Sequence, residues 1–287
     1  MSTWNKGFAM GAIGLTLFGL LAAGCGDANS SDASKKEDAG KKQIAGVQRI
    51  KERGVVKVGI GDTIKGFGYK ESDGTITGID ADVAKAIAKD ILGDENKIEF
   101  TTVTAKARGP VLDSDQVDFV IATYTVNEER KKSWDFSDIY YRDPVGFLVK
   151  KDSGITSAKE LDGKTIAVQQ GTTSRQGCEE WAKKYGIKLK YTEFPTDPEA
   201  LSAMTSGRAA AYSTDSSILN SHMEGKPDLM LLPEKFAPQD YGIAVRKDNN
   251  ELLTEINKVI KQLKESGELE KMIQKHHLVD FHDDATE

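Results

Sequence analysis

Short apolar runs alternate along the chain with segments in which apolar residues recur at helical spacing. The runs VVKVGI (55–60), KIEFTTV (97–103) and QVDFVIAT (116–123) are rich in β-branched and aromatic residues, which predicts three strands. Residues 80–92, DADVAKAIAKDIL, have an acidic start and apolar residues at helical spacing, so they predict an amphipathic helix. This order of strand, helix and strand predicts an α/β lobe in which helices cover a parallel sheet.

A second, similar cycle follows a long strand predicted over residues 141–151. Its strands and helices alternate at residues 164–171, 173–185, 188–194, 197–206, 209–214 and 215–223. The strand predicted over 240–247 returns to the first lobe. Two lobes joined by two extended crossings form a hinge with a cleft between them. We assign residues 47–148 and 244–287 to the first lobe and residues 149–243 to the second.

The N-terminus has the pattern of an export signal rather than of a folded element. An apolar run over residues 7–23 follows a single lysine and ends just before Cys25. The sequence LAAGC resembles the lipobox of bacterial lipoproteins, which implies that residues 1–24 are a signal peptide and that Cys25 is lipidated. A transmembrane anchor or an ordinary secretory signal is the alternative. The polar composition that follows predicts a disordered tether over residues 25–46.

Composition and charge exclude several classes of function. The chain is 38% hydrophobic and 29% charged, with a net charge of -6, which is typical of a soluble globular protein and argues against nucleic acid as a partner. Cys25 and Cys178 lie in different settings and give no disulfide framework. His276, His277 and His282 lack a metal-ligand spacing. We therefore expect no metal, no cofactor and no catalytic set.

The stretch from residue 120 to residue 141 carries the first candidate site. Thr123 and Thr125 follow a predicted strand and point to the same side at its carboxyl end, where open α/β sheets bind ligands. Asn127 is a candidate N-cap, which places Arg130 in the first helical turn. A cation beside the positive end of a helix dipole suggests an anion opposite, and we expect a carboxylate. A surface ion pair of Arg130 is the alternative.

Two further helix starts in the second lobe complete the candidate site. The segment QQGTTSRQG presents the backbone N–H of Thr173 at a helix N-terminus, where it suits an anion. Asp215 follows a predicted strand and could pair with an ammonium group. For both positions the alternative is an ordinary N-cap. An anion site in one lobe and a cation site in the other describe a zwitterionic ligand that stabilises the closed form.

Residues 53–274 resemble the solute-binding proteins of polar amino-acid ABC transporters. The matching motifs, in family order, are KVGI with GFGY, GIDADVAKAIAK, QVDFVIATYTVNEERKKSWDFSDIYY, KTIAVQQGTTS, TDSSIL and YGIAVRK. The resemblance implies a type II periplasmic-binding-protein fold, in which two α/β lobes joined by two crossing strands close on a free amino acid. It also implies a monomer without enzymatic activity that works with permease subunits. With the lipid anchor, the expected location is the extracytoplasmic face of the cell membrane.

The resemblance also implies roles for individual residues. It places Arg130, Thr125 and the Thr173 amide on the α-carboxylate, Asp215 and the Thr123 carbonyl on the α-ammonium, and Phe67 against the ligand side chain.

The ligand side chain is harder to predict than the ligand backbone. Ala105 stands where relatives often carry an aromatic residue, which makes a purely apolar or aromatic ligand less expected. Five basic residues in segments that should border the cleft could meet a second carboxylate: Lys65, Lys106, Arg108, Arg142 and Arg175. For each, a solvated surface charge is the alternative. We favour glutamate, then aspartate, and glutamine is the alternative. An amino-acid sensor and a dehydratase-like enzyme on the same fold are further alternatives.

Overall fold

The computed structural model describes residues 46–279. The predictions for residues 1–45, including the signal peptide, Cys25 and most of the tether, lie outside the described residues, as does His282. Between residues 46 and 279, no helix combines the length and apolar character needed to cross a bilayer.

The described helices follow the apolar periodicity of the sequence. They are α1 (Gly46–Arg53), α2 (Ile79–Leu92), α3 (Arg108–Asp113), α4 (Glu128–Lys131), α5 (Ser174–Tyr185), α6 (Asp197–Thr205), α7 (Ser216–Met223), α8 (Asn250–Glu265) and α9 (Glu268–Lys275). The strands before the first crossing are β1 (Val56–Ile60), β2 (Thr63–Ile64), β3 (Gly68–Lys70), β4 (Ile76–Thr77), β5 (Ile98–Thr102), β6 (Phe119–Val120) and β7 (Trp134–Phe136). The remaining strands are β8 (Tyr141–Lys150), β9 (Thr165–Gln169), β10 (Lys190–Phe194), β11 (Ala211–Asp215), β12 (Leu229–Leu231), β13 (Phe236–Tyr241) and β14 (Ala244–Arg246).

The first lobe is built on a sheet with the strand order β5-β1-β6-β14-β7. Strand β1 pairs in parallel with β5 and β6, whereas β14 is antiparallel to both of its neighbours. Ile79, Val83 and Ile87 of α2 lie on one helical face and are fully buried in the same core as Ile256 of α8. This core supports β1 and β6, whose carboxyl ends reach the cleft.

The second lobe has the strand order β10-β9-β11-β8-β12, with β13 also paired to β8. Strands β9, β10 and β11 are parallel, and β8 runs antiparallel to β11. Phe147, Trp181 and Phe236 pack their rings together in its core, with centroids 5.2 to 5.7 Å apart. The carboxyl ends of β9 and β11 therefore face the first lobe from a rigid support.

Strand β8, which we expected to lead out of the first lobe, pairs with strands of the second sheet. We expected the first lobe to extend to residue 148, whereas β8 pairs within the second sheet from Tyr141, which lies opposite Tyr241. The return strand predicted over 240–247 is divided into β13 and β14. An extended run has the same pattern in either sheet, so the sequence alone does not reveal which lobe completes its hydrogen bonds. The lobe boundaries at residues 148 and 244 stay predictions.

Candidate functional site

The carboxyl ends of strands from both lobes enclose a cavity of about 90 Å³. The first lobe contributes Thr123 and Thr125, and the second contributes Thr173, Thr214 and Asp215. Ligand pockets commonly measure about 300–1,000 Å³, so the lobes are closed on each other here. A ligand larger than a few water molecules needs more space than this cavity offers.

Arg130 lies beside this cavity in the first turn of α4. The helix begins as predicted, because the Asn127 side chain accepts a hydrogen bond from the Arg130 backbone N–H at 2.8 Å. The guanidinium donates to the Thr125 carbonyl at 2.5 Å and to the Gly171 carbonyl of the second lobe at 3.0 Å. Burial lowers its pKa from the usual value. The surface ion pair that we considered for Arg130 is therefore not its arrangement.

Arg108 is a second guanidinium in the cleft, and it is only 2% exposed. Its Nε donates to the Ala105 carbonyl at 2.9 Å, and its Nη1 donates to the carbonyls of Ala122 at 3.0 Å and Thr123 at 2.9 Å. Its Nη2 donates to the Gly171 carbonyl at 2.8 Å. These bonds use four of the five N–H donors of a guanidinium. The remaining Nη2 hydrogen is available to a ligand.

The two guanidinium groups share one aromatic ring. The Arg108 Cζ lies 4.1 Å, and the Arg130 Cζ 4.7 Å, from the centroid of the Tyr124 ring. Tyr124 in turn packs against Trp134, with centroids 6.2 Å apart. Burial, and next the charge of Arg130, lowers the pKa of Arg108 to about 9, so both arginines are cationic at neutral pH. Contact of a cation with an aromatic face offsets part of their mutual repulsion.

Asp215 supplies the opposite charge at the end of β11. Its side chain does not cap α7, although it occupies the N-cap position. Asp143 of β8 does so instead, because both of its oxygens accept from the Ser217 backbone N–H at 3.1 Å. Asp215 accepts a hydrogen bond from the Tyr241 hydroxyl. The ordinary N-cap that we considered for Asp215 is therefore not its arrangement, and its carboxyl faces the cavity.

Burial shifts the protonation of the carboxyl groups around the site. It raises the pKa of Asp215 to about 6, against the lowering effect of the Tyr241 hydrogen bond and of the two arginines. Burial, and next the charge of Asp215, raises the pKa of Asp143 well above the ordinary range. Burial thus opposes the ionised form of both carboxyls. Of the two, Asp215 is the one that lines the cavity.

A third buried carboxyl supports the turn that follows β6. Asp80 accepts from the Thr123 backbone N–H at 3.1 Å and from the Tyr140 hydroxyl at 2.7 Å. Thr123 has φ 45°, which is uncommon for a residue with a side chain. This turn ends β6 at Val120, three residues earlier than predicted, and points the Thr123 carbonyl at Arg108. The Thr123 carbonyl, which we predicted to contact an ammonium group, accepts a hydrogen bond from Arg108 in this structure.

Thr173 lies at the N-terminus of α5 without capping it by its side chain. Its hydroxyl donates to the Gln239 side chain and lies 3.4 Å from the Thr125 hydroxyl of the first lobe. The free N–H groups at the start of a helix carry partial positive charge. Arg130, Thr125 and the start of α5 thus surround one corner of the cavity, and Asp215 borders it from the second lobe.

The five basic candidates for side-chain specificity are separated by the structure. All lie within residues 46–279, and Arg108 is the one that lines the cavity. Lys65 pairs with Glu224 at 3.1 Å, Arg142 with Asp240 at 2.5 Å, and Arg175 with Glu179 and Glu193 at 2.8 Å each. Lys106 is exposed.

Phe67 is not where the resemblance placed it. The side chain is 0% exposed and packs edge-on against Tyr141 and Tyr241, with centroid distances of 5.2 and 5.8 Å. The ring therefore belongs to the core of the first lobe. Ala105, in contrast, does line the cavity.

Several supporting residues carried no local signal in the sequence. Asp80, Asp143 and Tyr241 are polar residues inside elements that we assigned to scaffold. Their partners are between 26 and 74 positions away along the chain. A buried acidic residue within an apolar pattern was the available hint. Across residues 46–279, no three His, Cys, Asp or Glu side chains are grouped so that they could hold a metal ion.

Comparisons with known proteins agree with this geometry. Residues 56–279 match the family of bacterial extracellular solute-binding proteins, family 3. The chain is 38% identical over 273 residues to the ABC transporter glutamine-binding protein GlnH of Bacillus subtilis (strain 168), which covers 94% of this chain and 97% of the relative. It is 39% identical over 246 residues to a glutamine-binding protein of Geobacillus stearothermophilus, with coverages of 82% and 92%.

A solved structure gives the same result for the fold. The solute receptor for L-cysteine of Neisseria gonorrhoeae superposes with a TM-score of 0.74 at 29% identity, over 83% of this chain and 95% of that chain. The type II periplasmic-binding-protein fold implied by the sequence motifs is confirmed. With the match over residues 56–279, this chain belongs to the bacterial extracellular solute-binding proteins of family 3.

Proposed function

We propose that this protein is the receptor of an amino-acid ABC transporter and that it binds an acidic amino acid, glutamate or aspartate, between its lobes. The observation that carries the proposal is that the Arg108 guanidinium and the Asp215 carboxylate line one cavity, with the Arg130 guanidinium beside it. Arg130, with Thr125 and the start of α5, receives the α-carboxylate. Asp215 receives the α-ammonium, and Arg108 receives the side-chain carboxylate. The similarity to glutamine-binding proteins of ABC transporters supports the receptor role.

The two buried guanidinium groups favour an acidic ligand over a neutral one. The charged residues that line the cavity are Arg108, Asp215 and the half-buried Asp62, and Arg130 lies beside it. Glutamate offers one carboxylate to each arginine and an ammonium group to Asp215. Glutamine brings no charge to Arg108, and an incompletely compensated buried charge is unfavourable by roughly several kcal/mol even after relaxation.

Glutamine is the second candidate ligand because both relatives named above bind it. The amide oxygen of glutamine can accept the remaining Nη2 hydrogen of Arg108. A hydrogen bond to a charged donor contributes about 1.5–3 kcal/mol. The two candidates therefore differ in the strength of one contact, and measured affinities decide between them.

A thermal-shift panel of the common amino acids identifies the ligand directly. Calorimetric titration then compares glutamate, aspartate and glutamine for the wild type and for Arg108→Lys, which keeps the charge but lacks the planar fork. We expect glutamate to bind about tenfold or more tightly than glutamine, and the variant to lose most of that preference. A wild type that prefers glutamine overturns the acidic ligand, whereas a wild type that binds no amino acid overturns the receptor.

The proposal also makes this protein a binding receptor and not an enzyme. Its partners are a free amino acid and the permease subunits of the transporter, and it works as a monomer. Each amino acid is incubated with the protein while product formation is followed. Ligand that is recovered unchanged, together with a raised melting temperature, supports a receptor. Turnover of any amino acid contradicts it and favours the dehydratase-like alternative.

Lipidation of Cys25 places the receptor on the extracytoplasmic face of the cell membrane. The sequence LAAGC is the support for this part of the proposal. Replacement of Cys25 with alanine is expected to move the protein from the membrane fraction to the medium or periplasm. Equal membrane association of the variant and the wild type contradicts lipidation at this residue.

A further inference from the structure

The peptide of Gly171 is the closest approach of the second lobe to the arginines of the first. Gly171 lies between β9 and α5, and its carbonyl oxygen accepts hydrogen bonds from Arg108 at 2.8 Å and from Arg130 at 3.0 Å. Both donors are Nη2 atoms of guanidinium groups that border the binding cavity. One backbone oxygen therefore joins the two lobes through the same side chains that face the ligand.

Gly171 also has no space for a side chain. A Cβ at this position would lie 2.7 Å from the N and Cα atoms of Lys106 and 2.9 Å from the carbonyl carbon of Ala105. Those atoms are backbone of the first lobe and cannot rotate away. The φ of Gly171 is +79°, a conformation that residues with a side chain rarely adopt. Two independent constraints, one within the loop and one across the cleft, thus act on this residue.

We propose that Gly171 is a positioning residue of the binding site, whose carbonyl holds both ligand-binding guanidinium groups only when the lobes are closed. This inference rests on the proposed function for the role of the arginines. The hydrogen bonds to Gly171 fix the Nη2 ends of Arg108 and Arg130, and the other hydrogens of these two groups can then bind a ligand. A ligand carboxylate and the Gly171 carbonyl then bind different hydrogens of the same fork.

This arrangement couples anion binding to closure. In the open form the guanidinium groups lose one acceptor each and gain rotational freedom. A carboxylate that binds first orients them for the Gly171 carbonyl, and closure in turn orients them for the carboxylate. The two events therefore favour each other through differential contacts in the two states, as a ligand-driven population shift requires. Ligands with a second carboxylate benefit most because they contact both arginines.

The chain offers a matched control for a test by mutation. Gly186, which ends α5, has φ +70°, and no described atom lies within 4 Å of a Cβ built on it. Gly171→Ala and Gly186→Ala therefore impose similar backbone strain, whereas only the first introduces a contact across the cleft. Calorimetric titration with glutamate and with glutamine measures the affinity. Small-angle X-ray scattering, without ligand and with glutamate at about 1 mM, measures closure of the lobes.

We expect Gly171→Ala to weaken glutamate binding by about tenfold or more, and glutamine binding by less. Its radius of gyration should stay at the open value with glutamate present, whereas the wild type and Gly186→Ala become more compact. Both variants should lose a similar amount of melting temperature. A Gly171→Ala protein that binds within about threefold of Gly186→Ala and compacts equally overturns the inference.

The inference can be tested even if the proposed function is wrong. If the wild type binds no amino acid, the scattering curves of the ligand-free proteins alone test the inference. A ligand-free Gly171→Ala protein that is more expanded than Gly186→Ala supports the closing contact, and identical curves overturn it.

Discussion

The arginines of the cleft and those of the surface differ in the groups that hold them. Arg108 and Arg130 donate to backbone carbonyl oxygens and share the carbonyl of Gly171. Arg142 and Arg175, at 40% and 51% side-chain exposure, pair with carboxylates. Within residues 46–279, the more buried pair thus has no carboxylate at ion-pair distance, with Asp215 acting from farther away, and the exposed pair has direct partners. Stability alone favours the reverse distribution, since an uncompensated charge is least favourable where it is most buried.

The position of a charge and its neutralisation are therefore separate properties. A carbonyl oxygen orients a guanidinium but leaves its net charge in place. In the proposed function, the cleft fixes the cations and a ligand neutralises them. A surface carboxylate does both, so the surface arginines have no charge to offer.

The largest expected effect comes from the two charges that we propose hold the ligand backbone. Arg130→Ala and Asp215→Ala should each weaken amino-acid binding by about 30-fold or more, because loss of one partner of a buried charged pair costs about 2–5 kcal/mol. The protein should still fold, since Arg130 is held by backbone carbonyls and Asp215 does not cap its helix. Calorimetric titration measures the loss, and thermal unfolding confirms the fold. Near-normal affinity in either folded variant would remove the zwitterion model.

A smaller effect is expected from pH. Burial raises the pKa of Asp215 from 3.8 to about 6, and an ammonium ligand requires the ionised form. Affinity should fall as pH decreases through that value, by about tenfold between pH 7 and pH 5. Titrations at both values with glutamate and glutamine provide the measurement, and the two ligands should respond alike because they share the ammonium. A constant affinity across this range contradicts the assignment of Asp215.

The same shift affects the stability of the ligand-free protein with the opposite sign. The unfolded carboxyl loses its proton near pH 3.8, whereas the folded Asp215 keeps it to about pH 6. The free energy of unfolding contributed by this group therefore decreases as pH rises between those values. Asp80 acts in the same direction, because burial raises its pKa to about 6 as well. Melting temperatures recorded across this range without ligand, for the wild type and Asp215→Asn, isolate the contribution.

The smallest effect is expected at the surface. Arg175→Ala removes ion pairs with Glu179 and Glu193 that are each about half exposed, and such pairs contribute about 0–1 kcal/mol. Amino-acid affinity should stay within about twofold of the wild type, which a single titration checks. A large loss of affinity would mean that surface arginines also serve the cleft, and the comparison between the two groups would fail.

Local patterns in the sequence predicted the main strands of both lobes and the helices that follow them, but not the short strands β2, β3, β4 and β7. Asn127 caps α4 as predicted because an N-cap and its partner are three residues apart. We expected Arg130, Thr125 and Asp215 to share one site from the rule that ligands bind at the carboxyl ends of strands, and their binding roles stay predictions. The fold itself came from the family motifs rather than from periodicity.

The features of the site that the sequence did not reveal depend on residues that are far apart along the chain. Asp143 replaces Asp215 as the cap of α7, although 74 residues separate it from Ser217. Phe67 was expected in the cleft because an aromatic residue in a glycine-rich loop has no local feature that distinguishes pocket from core. Arg108 could not be separated from the other basic candidates, because its burial depends on Tyr124 and on Gly171 of the other lobe.

Trp134 gives this receptor an optical property. Its indole fills the space above Gly109, where a Cβ would lie 2.2 Å from the ring, and it also contacts Tyr124 beneath the two guanidinium groups. We therefore expect its emission to respond to an anion bound at Arg108, whereas the emission of Trp181, enclosed in the core of the second lobe, should stay constant. Of the tryptophans in residues 46–279, one would then report occupancy of the cleft without a label and the other would serve as an internal reference.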